Sequence, residues 1–236
     1  MSRRSEDALG LLASWDGRAQ GTTRIGVLLP WANQAVETEL PRLGLAHTVF
    51  HYARLVPASR ATAVDASFWH GLREAATDAV ESLAHLPLDG TVLACTSAGF
   101  TGGPALPDGV MTAFDALTGV LHALDISRVA LGTPYPTEVT AAEAAALTSH
   151  GLEVVAHASL GLADGYPGVA GEDVRTLIRQ IPADALRTAD AVVLSCTGWH
   201  TLSVLRDIQQ AVGRPVISSN LAMALFAARL AIGAPL

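Results

Sequence analysis

The sequence predicts an α/β protein of two pseudo-symmetric domains, each a mainly parallel sheet flanked by helices, with the active site in the cleft between them. Three observations carry this. The stretch Asp89-Gly90-Thr91-Val92-Leu93-Ala94-Cys95-Thr96-Ser97 returns as Asp190-Ala191-Val192-Val193-Leu194-Ser195-Cys196-Thr197-Gly198, an offset of 101 residues. Residues 24–30 align with 128–134 at an offset of 104, Arg on Arg and Pro on Pro, which sets Trp31 against Tyr135. Short apolar runs rich in Val and Leu alternate with amphipathic stretches, strand then helix, three times in each half. A unit of about 100 residues is too long for a solenoid repeat and right for a doubled α/β domain.

The elements follow from local chemistry. Residues 1–23 read as a peripheral tail with a short helix over 6–15. Residues 24–29 are the first buried strand, ended by Pro30; Asn33 then caps a helix through Ala35, Val36 and Leu40 that stops near Pro41. The β-branched and aromatic run 48–55 is a second strand. Over 65–86, Phe68, Leu72, Ala75, Ala76, Ala79, Val80, Leu83 and Leu86 form one helical stripe at three-and-four spacing. Residues 91–95 are the third strand, 99–107 a Gly/Pro loop, and 108–124 a helix. The pattern restarts with a strand at 128–133, a helix at 137–150 closed by Gly151, and a strand at 152–160. A Gly-rich loop at 161–171 leads to a helix over 172–189 with a break at Pro182. The second Cys strand is 191–196, followed by a helix at 201–212, a strand at 215–218 and an apolar helix at 221–232. The expected domains are 24–125, joined by the terminal helix within 221–236, and 126–220.

Composition narrows the function. Of 236 residues, 50% are hydrophobic and 16% charged, which supplies a sizeable core. The net charge of -7 argues against nucleic acid as a partner, since phosphate contacts need basic density. No apolar run reaches membrane-spanning length. Two cysteines do not make a disulfide framework and fit a cytoplasmic protein with reduced thiols. All fifteen basic residues are arginine. Without lysine there is no pyridoxal-phosphate Schiff base and no Walker A loop. Neither a dinucleotide fingerprint nor zinc-ligand spacing is present, so no cofactor and no metal is expected.

The two cysteines carry the chemistry. Each closes a buried strand at the carboxyl edge of a sheet, where ligands collect in open α/β folds. A thiol there, next to a helix N-terminus, is expected to favour thiolate. One Cys at a strand end is usually a small core hydrophobe; two at matched positions of a duplication form a pair. One thiolate and one thiol flanking a carbon make a base and an acid. Alternatively, a thiolate adds to an activated alkene, the resulting single bond rotates, and the thiolate leaves. Either scheme needs the carboxylate or enolate charge held, and the N–H and hydroxyl groups of Thr96, Ser97, Thr197 and Gly198 offer this without lysine.

These residues resemble the aspartate/glutamate racemase superfamily, and within it the maleate cis–trans isomerase branch. The resemblance rests on Leu29-Pro30-Trp31-Ala32-Asn33 followed by Glu37-Thr38-Glu39, on Cys95-Thr96-Ser97-Ala98-Gly99-Phe100, on Thr133-Pro134-Tyr135 and on Ser218-Ser219-Asn220, in order over about 24–230. It implies Cys95 as nucleophile toward a cis-dicarboxylate, Cys196 as opposing acid/base, and Asn33 and Tyr135 as carboxylate holders. It also implies a homodimer or homotetramer acting on a small carboxylic acid. Small polar residues are expected where Trp31 stands, and an Asn in the loop that here reads Leu162-Ala163-Asp164-Gly165-Tyr166. Trp31 and Trp199, the latter close to Cys196, read as packing groups ahead of specificity groups; as specificity groups they would suit a larger, less polar acid. Racemisation, malonate-type decarboxylation and a non-catalytic sensor role are the competing readings. His51, Arg54 and His157 read as structural or solvated, His200 as neither ligand nor tuner, and Asp89 and Asp190 as turn caps.

Overall fold

The computed structural model describes residues 7–60 and 63–234. Residues 1–6 of the expected tail and 235–236 of the expected last segment lie outside the described residues. The first half runs α1 (Ala8–Asp16), β1 (Thr23–Pro30), α2 (Val36–Arg42), β2 (Thr48–Leu55), α3 (Ala66–Glu74), α4 (Ala76–Leu83), β3 (Gly90–Leu93), α5 (Ser97–Phe100), β4 (Val110–Thr112) and α6 (Ala113–Ala123). The second runs β5 (Arg128–Thr133), α7 (Thr137–Ser149), β6 (Glu153–Ser159), a single 3-10 turn (Tyr166–Gly168), α8 (Gly171–Gln180), α9 (Ala183–Thr188), β7 (Ala191–Leu194), α10 (Leu205–Val212), β8 (Val216–Ser218) and α11 (Ser219–Ala231).

Each half builds a four-stranded, wholly parallel sheet, in the orders β2-β1-β3-β4 and β6-β5-β7-β8. The orders are the same, so the duplication read from the sequence is a duplication of topology. Continuous apolar runs make the inner strands because helices cover both faces of each sheet. Leu28 pairs in register with Leu93, and Gly132 with Leu194. The repeated aspartates have a repeated task. Asp89 accepts from the Arg24 N–H at 2.8 Å, and Asp190 from the Ser127 and Arg128 N–H groups at 3.1 and 3.0 Å. Each carboxylate therefore pins the start of the neighbouring central strand. α11 packs on α6, α1, α2 and β1, so the end of the chain returns to the first half. Among the described residues no helix is long and apolar enough to cross a membrane.

Several elements differ from the sequence reading. The helix expected over 65–86 is two, because Ala75 flattens to ψ -6 and interrupts the ladder of hydrogen bonds. The helix expected from 108 begins only at Ala113. The three residues before it form β4, and Thr112 and Asp115 cap each other in a reciprocal box. Such a short strand exists through its pairing with β3, which no local pattern announces. The expected helix start at 201 moves to Leu205. α1 is not peripheral: Ala8, Leu12 and Trp15 are buried, and α1 packs on α11.

Candidate active site

β3 ends at Leu93, and the chain then makes a tight step: Cys95 N–H bonds back to Leu93 O at 2.8 Å. The chain then winds through one helical turn, α5, pressed onto α6. A Cβ at Gly99 would lie 2.4 Å from both Thr112 Oγ1 and Phe114 Cβ, so only glycine allows this approach. The turn presents donors to the Cys95 sulfur. They are the Ser97 hydroxyl at 3.5 Å and the Ser97 and Ala98 N–H groups. Trp69 Nε1 donates to Ser97 Oγ at 2.9 Å and fixes that hydroxyl. Arg73, which donates to Pro104 O at 2.8 Å and Ala98 O at 2.5 Å, brings its positive charge within reach of the thiol. Burial still dominates and pushes the Cys95 thiol up, while all these groups pull it back toward thiolate.

Cys196 occupies a different environment. Its φ is 129°, a region costing an L-residue about 1–3 kcal/mol. The strain is held by flanking bonds: Ser195 N–H to Gly132 O at 2.9 Å, and Cys196 N–H to Ser219 Oγ at 3.1 Å. In return the Gly198 N–H points at the sulfur, 3.2 Å away. Burial drives this thiol up to about 12. The Tyr135 hydroxyl and Gly198 N–H oppose the shift; the Cys95 and Glu143 charges add to it. Cys196 is therefore a thiol at neutral pH. The expectation that helix N-termini lower both thiols is overturned: α5 is one turn long, no helix begins after Cys196 until α10, and desolvation outweighs the local donors.

The two Cys loops are stitched together across the halves. Thr197 donates to Ala94 O at 2.7 Å. Thr96 donates to Ser219 Oγ at 2.9 Å, the atom that also receives the Cys196 N–H. Asn33 donates to Thr197 O and Oγ1 at 3.2 Å, and its own Oδ1 accepts from the Ala35 and Val36 N–H groups at 3.1 Å. Arg54, expected to be merely structural or solvated, clamps this segment: it bonds Trp31 O at 3.2 Å, Asn33 O at 3.0 Å and, very closely, Glu37. Glu39 is fully paired and buried. It accepts from Thr201 N–H at 2.6 Å, Leu202 N–H at 2.8 Å, Thr201 Oγ1 at 3.3 Å and Asn220 Nδ2 at 2.7 Å. Asn220 thus serves a loop.

Between the loops lies a cavity of about 240 Å³ bordered by both cysteines. Asn33, Ser97, Tyr135, Thr197 and Gly198 line it as well. Thr96 does not; it is wholly buried and serves the stitch behind the wall. Neither Trp31 nor Trp199 borders the cavity, in line with the packing reading, and neither enlarges it for a bulkier acid. Its apolar side comes instead from Val64 and Phe68, and its aromatic corner from Tyr135 edge-on to Tyr166, ring centroids 5.6 Å apart. Among the described residues no Arg or His borders it, whereas Asp164 does. Sequence reasoning missed Phe68 and Tyr166 as wall residues. Phe68 was absorbed into a helical stripe, and Tyr166 sat in a loop whose fold has no periodic signature. His200 lies outside, 3.5 Å from Thr38 Oγ1. Among the described residues no cluster of metal-ligating side chains occurs.

Two parallel-sheet lobes that each lend a buried cysteine to one shared cavity define a two-thiol α/β enzyme of the racemase-like superfamily. The family model for arylmalonate decarboxylase matches residues 97–234, more than half of the chain, and the protein belongs to that family. Over 227 residues it is 29% identical to a maleate isomerase of Nocardia farcinica, covering 84% of this chain and 86% of that one. Over 120 residues it is 35% identical to an arylmalonate decarboxylase of Bordetella bronchiseptica, covering 50% of each. Its fold matches a solved cysteine-to-serine variant of the Nocardia farcinica maleate cis–trans isomerase with a covalently bound succinylcysteine intermediate. That match has a TM-score of 0.78 at 25% identity and covers 91% of this chain and 94% of that one.

Proposed function

We propose that the protein is a cofactor-independent cis–trans isomerase of a small unsaturated carboxylic acid, with maleate to fumarate as the leading case. The observation that carries this reading is the inequality of the two thiols facing one cavity. Cys95, eased toward thiolate by Ser97, Ala98 and Arg73, adds to the double bond. The S–C bond forms and the π electrons move onto the adjacent carboxyl-bearing carbon. Cys196, protonated at rest, gives that carbon its proton. Rotation about the new single bond follows. Cys196 takes the proton back, the electrons re-form the double bond, and the Cys95 thiolate leaves. The Ser97, Thr197 and Gly198 groups and the Asn33 carboxamide border the space where carboxylate charge would rest. Asn33 would exchange its present bonds to Thr197 for the substrate.

A second reading, decarboxylation of a malonate-type acid, is favoured by the family-model match, which begins after Cys95. That reaction needs only Cys196 to reprotonate the enediolate. Incubating cis-unsaturated, chiral and malonate-type acids with the wild type, Cys95→Ser and Cys196→Ser separates the two. Isomerisation lost in both variants supports the main reading. Gas release that survives Cys95→Ser replaces it. The remaining expectations belong to the same proposal: a cytoplasmic protein, in keeping with its two free thiols, acting as a homodimer or homotetramer without nucleic-acid or membrane partners.

A further inference from the structure

Glu143 takes no part in the isomerisation chemistry, yet it is fully buried directly behind the Cys196 loop. It stands on α7. One of its oxygens forms a very close hydrogen bond with the Ser195 hydroxyl, and the other is buried with no hydrogen-bond partner. A carboxylate with an unpaired oxygen in a low-dielectric interior is costly, so the carboxyl keeps its proton. Burial pushes its pKa up to about 8, with only the Ser195 bond pulling down. When ionised, its charge acts on two groups of the site, Cys196 and Tyr135.

Among the described residues no opposing charge acts on it. Glu138 and His150 are exposed near the two ends of α7. β6, packed against α7, carries exposed Glu153 and His157. Arg128 starts β5 and is paired with Glu153. α5 also packs on α7 and brings no titratable side chain.

We propose that Glu143 is a positioning residue for Cys196. Neutral, it anchors Ser195 and so the strained peptide that aims the thiol. Ionised, it places a negative charge behind the sulfur and holds the proton there. The only chemistry is loss of the carboxyl proton to a base in the medium. The consequence for turnover rests on the isomerase reading, in which Cys196 must give a proton and take it back.

The test needs no substrate, so it can fail separately from that reading. In a Cys95→Ser background Cys196 is the sole thiol, and its alkylation by iodoacetamide is followed by mass spectrometry from pH 6.5 to 10. Adding Glu143→Gln is expected to leave the rate unchanged below pH 7 and raise it about tenfold above pH 9, where a like charge has been removed. A rate ratio that stays flat across the range overturns the proposal. If the Gln variant fails to fold, judged by near-ultraviolet circular dichroism, Ser195→Ala provides the second measurement. It keeps the carboxyl but removes the bond that eases its ionisation. The region in which log rate climbs with a slope below one is then expected to move to higher pH; an unmoved profile overturns the proposal.

Discussion

The Thr197 hydroxyl donates to the Ala94 carbonyl at 2.7 Å, joining the residue after one cysteine to the residue before the other. Both residues are buried, so the bond forms away from competing water and sets how the two sulfurs face the cavity. Thr197→Val keeps the shape and leaves the Ala94 oxygen and the Asn33 amide short of partners. The expected result is a loss of about 1–3 kcal/mol in urea unfolding, with a larger proportional fall in kcat than in KM. A variant as stable and active as the wild type would show that the stitch is idle.

The unequal thiols predict an order of reaction. With limiting iodoacetamide at pH 8.5, peptide mapping is expected to find Cys95 labelled before Cys196. The donors around Cys95 include a positive charge, whereas Cys196 faces additional negative ones. Cys196→Ser is expected to accumulate an adduct on Cys95 with a cis-unsaturated acid, because a proton from solvent can still reach the carbon but the base that takes it back is gone. Preferential labelling of Cys196 would reverse the roles.

Glu39 is a buried charge satisfied by four donors across the halves. Glu39→Ala strands these donors, and about 3–5 kcal/mol of stability should go with them. Glu39→Gln turns one acceptor into an N–H₂ facing donors, so it too should destabilise, though less. The comparison is made by chemical denaturation at pH 7; an unaffected Gln variant would mean the network tolerates a misdirected amide.

Stability should also depend on pH through Glu143. Its pKa is raised from 4.5 unfolded to about 8 folded, so between those values the native state holds a proton that the unfolded chain has released. The associated stability is present below pH 4.5, falls as pH rises, and is gone above about pH 8. Relative to Glu143→Gln, the wild type is expected to lose up to about 4 kcal/mol between pH 5 and pH 8. Parallel pH profiles for the two proteins would contradict this.

Local chemistry carried most of the fold. The run 128–133 and its copy at 24–29 are buried strands in the structure because an apolar stretch of that length, closed by Pro, has few other outcomes. Pro182 broke its helix for the same local reason. β4 escaped because three residues acquire strand geometry only from a partner 19 positions earlier, Thr91 facing Val110. Among site residues, Cys95 and Cys196 were visible through repetition alone, and both border the cavity. Thr96 was misread because a hydroxyl beside a catalytic position looks the same in sequence whether it faces the cavity or Ser219.

By itself, the sequence determined the doubled α/β plan, the two thiols at matching strand ends and the absence of lysine chemistry, since each depends on residue identity and short spacing. Tertiary structure alone decided what the thiols are. Desolvation, the φ of Cys196, the charge of Arg73 and the buried carboxyl of Glu143 come from segments far apart in the chain. Two matching Asp-to-Cys runs thereby became chemically unequal.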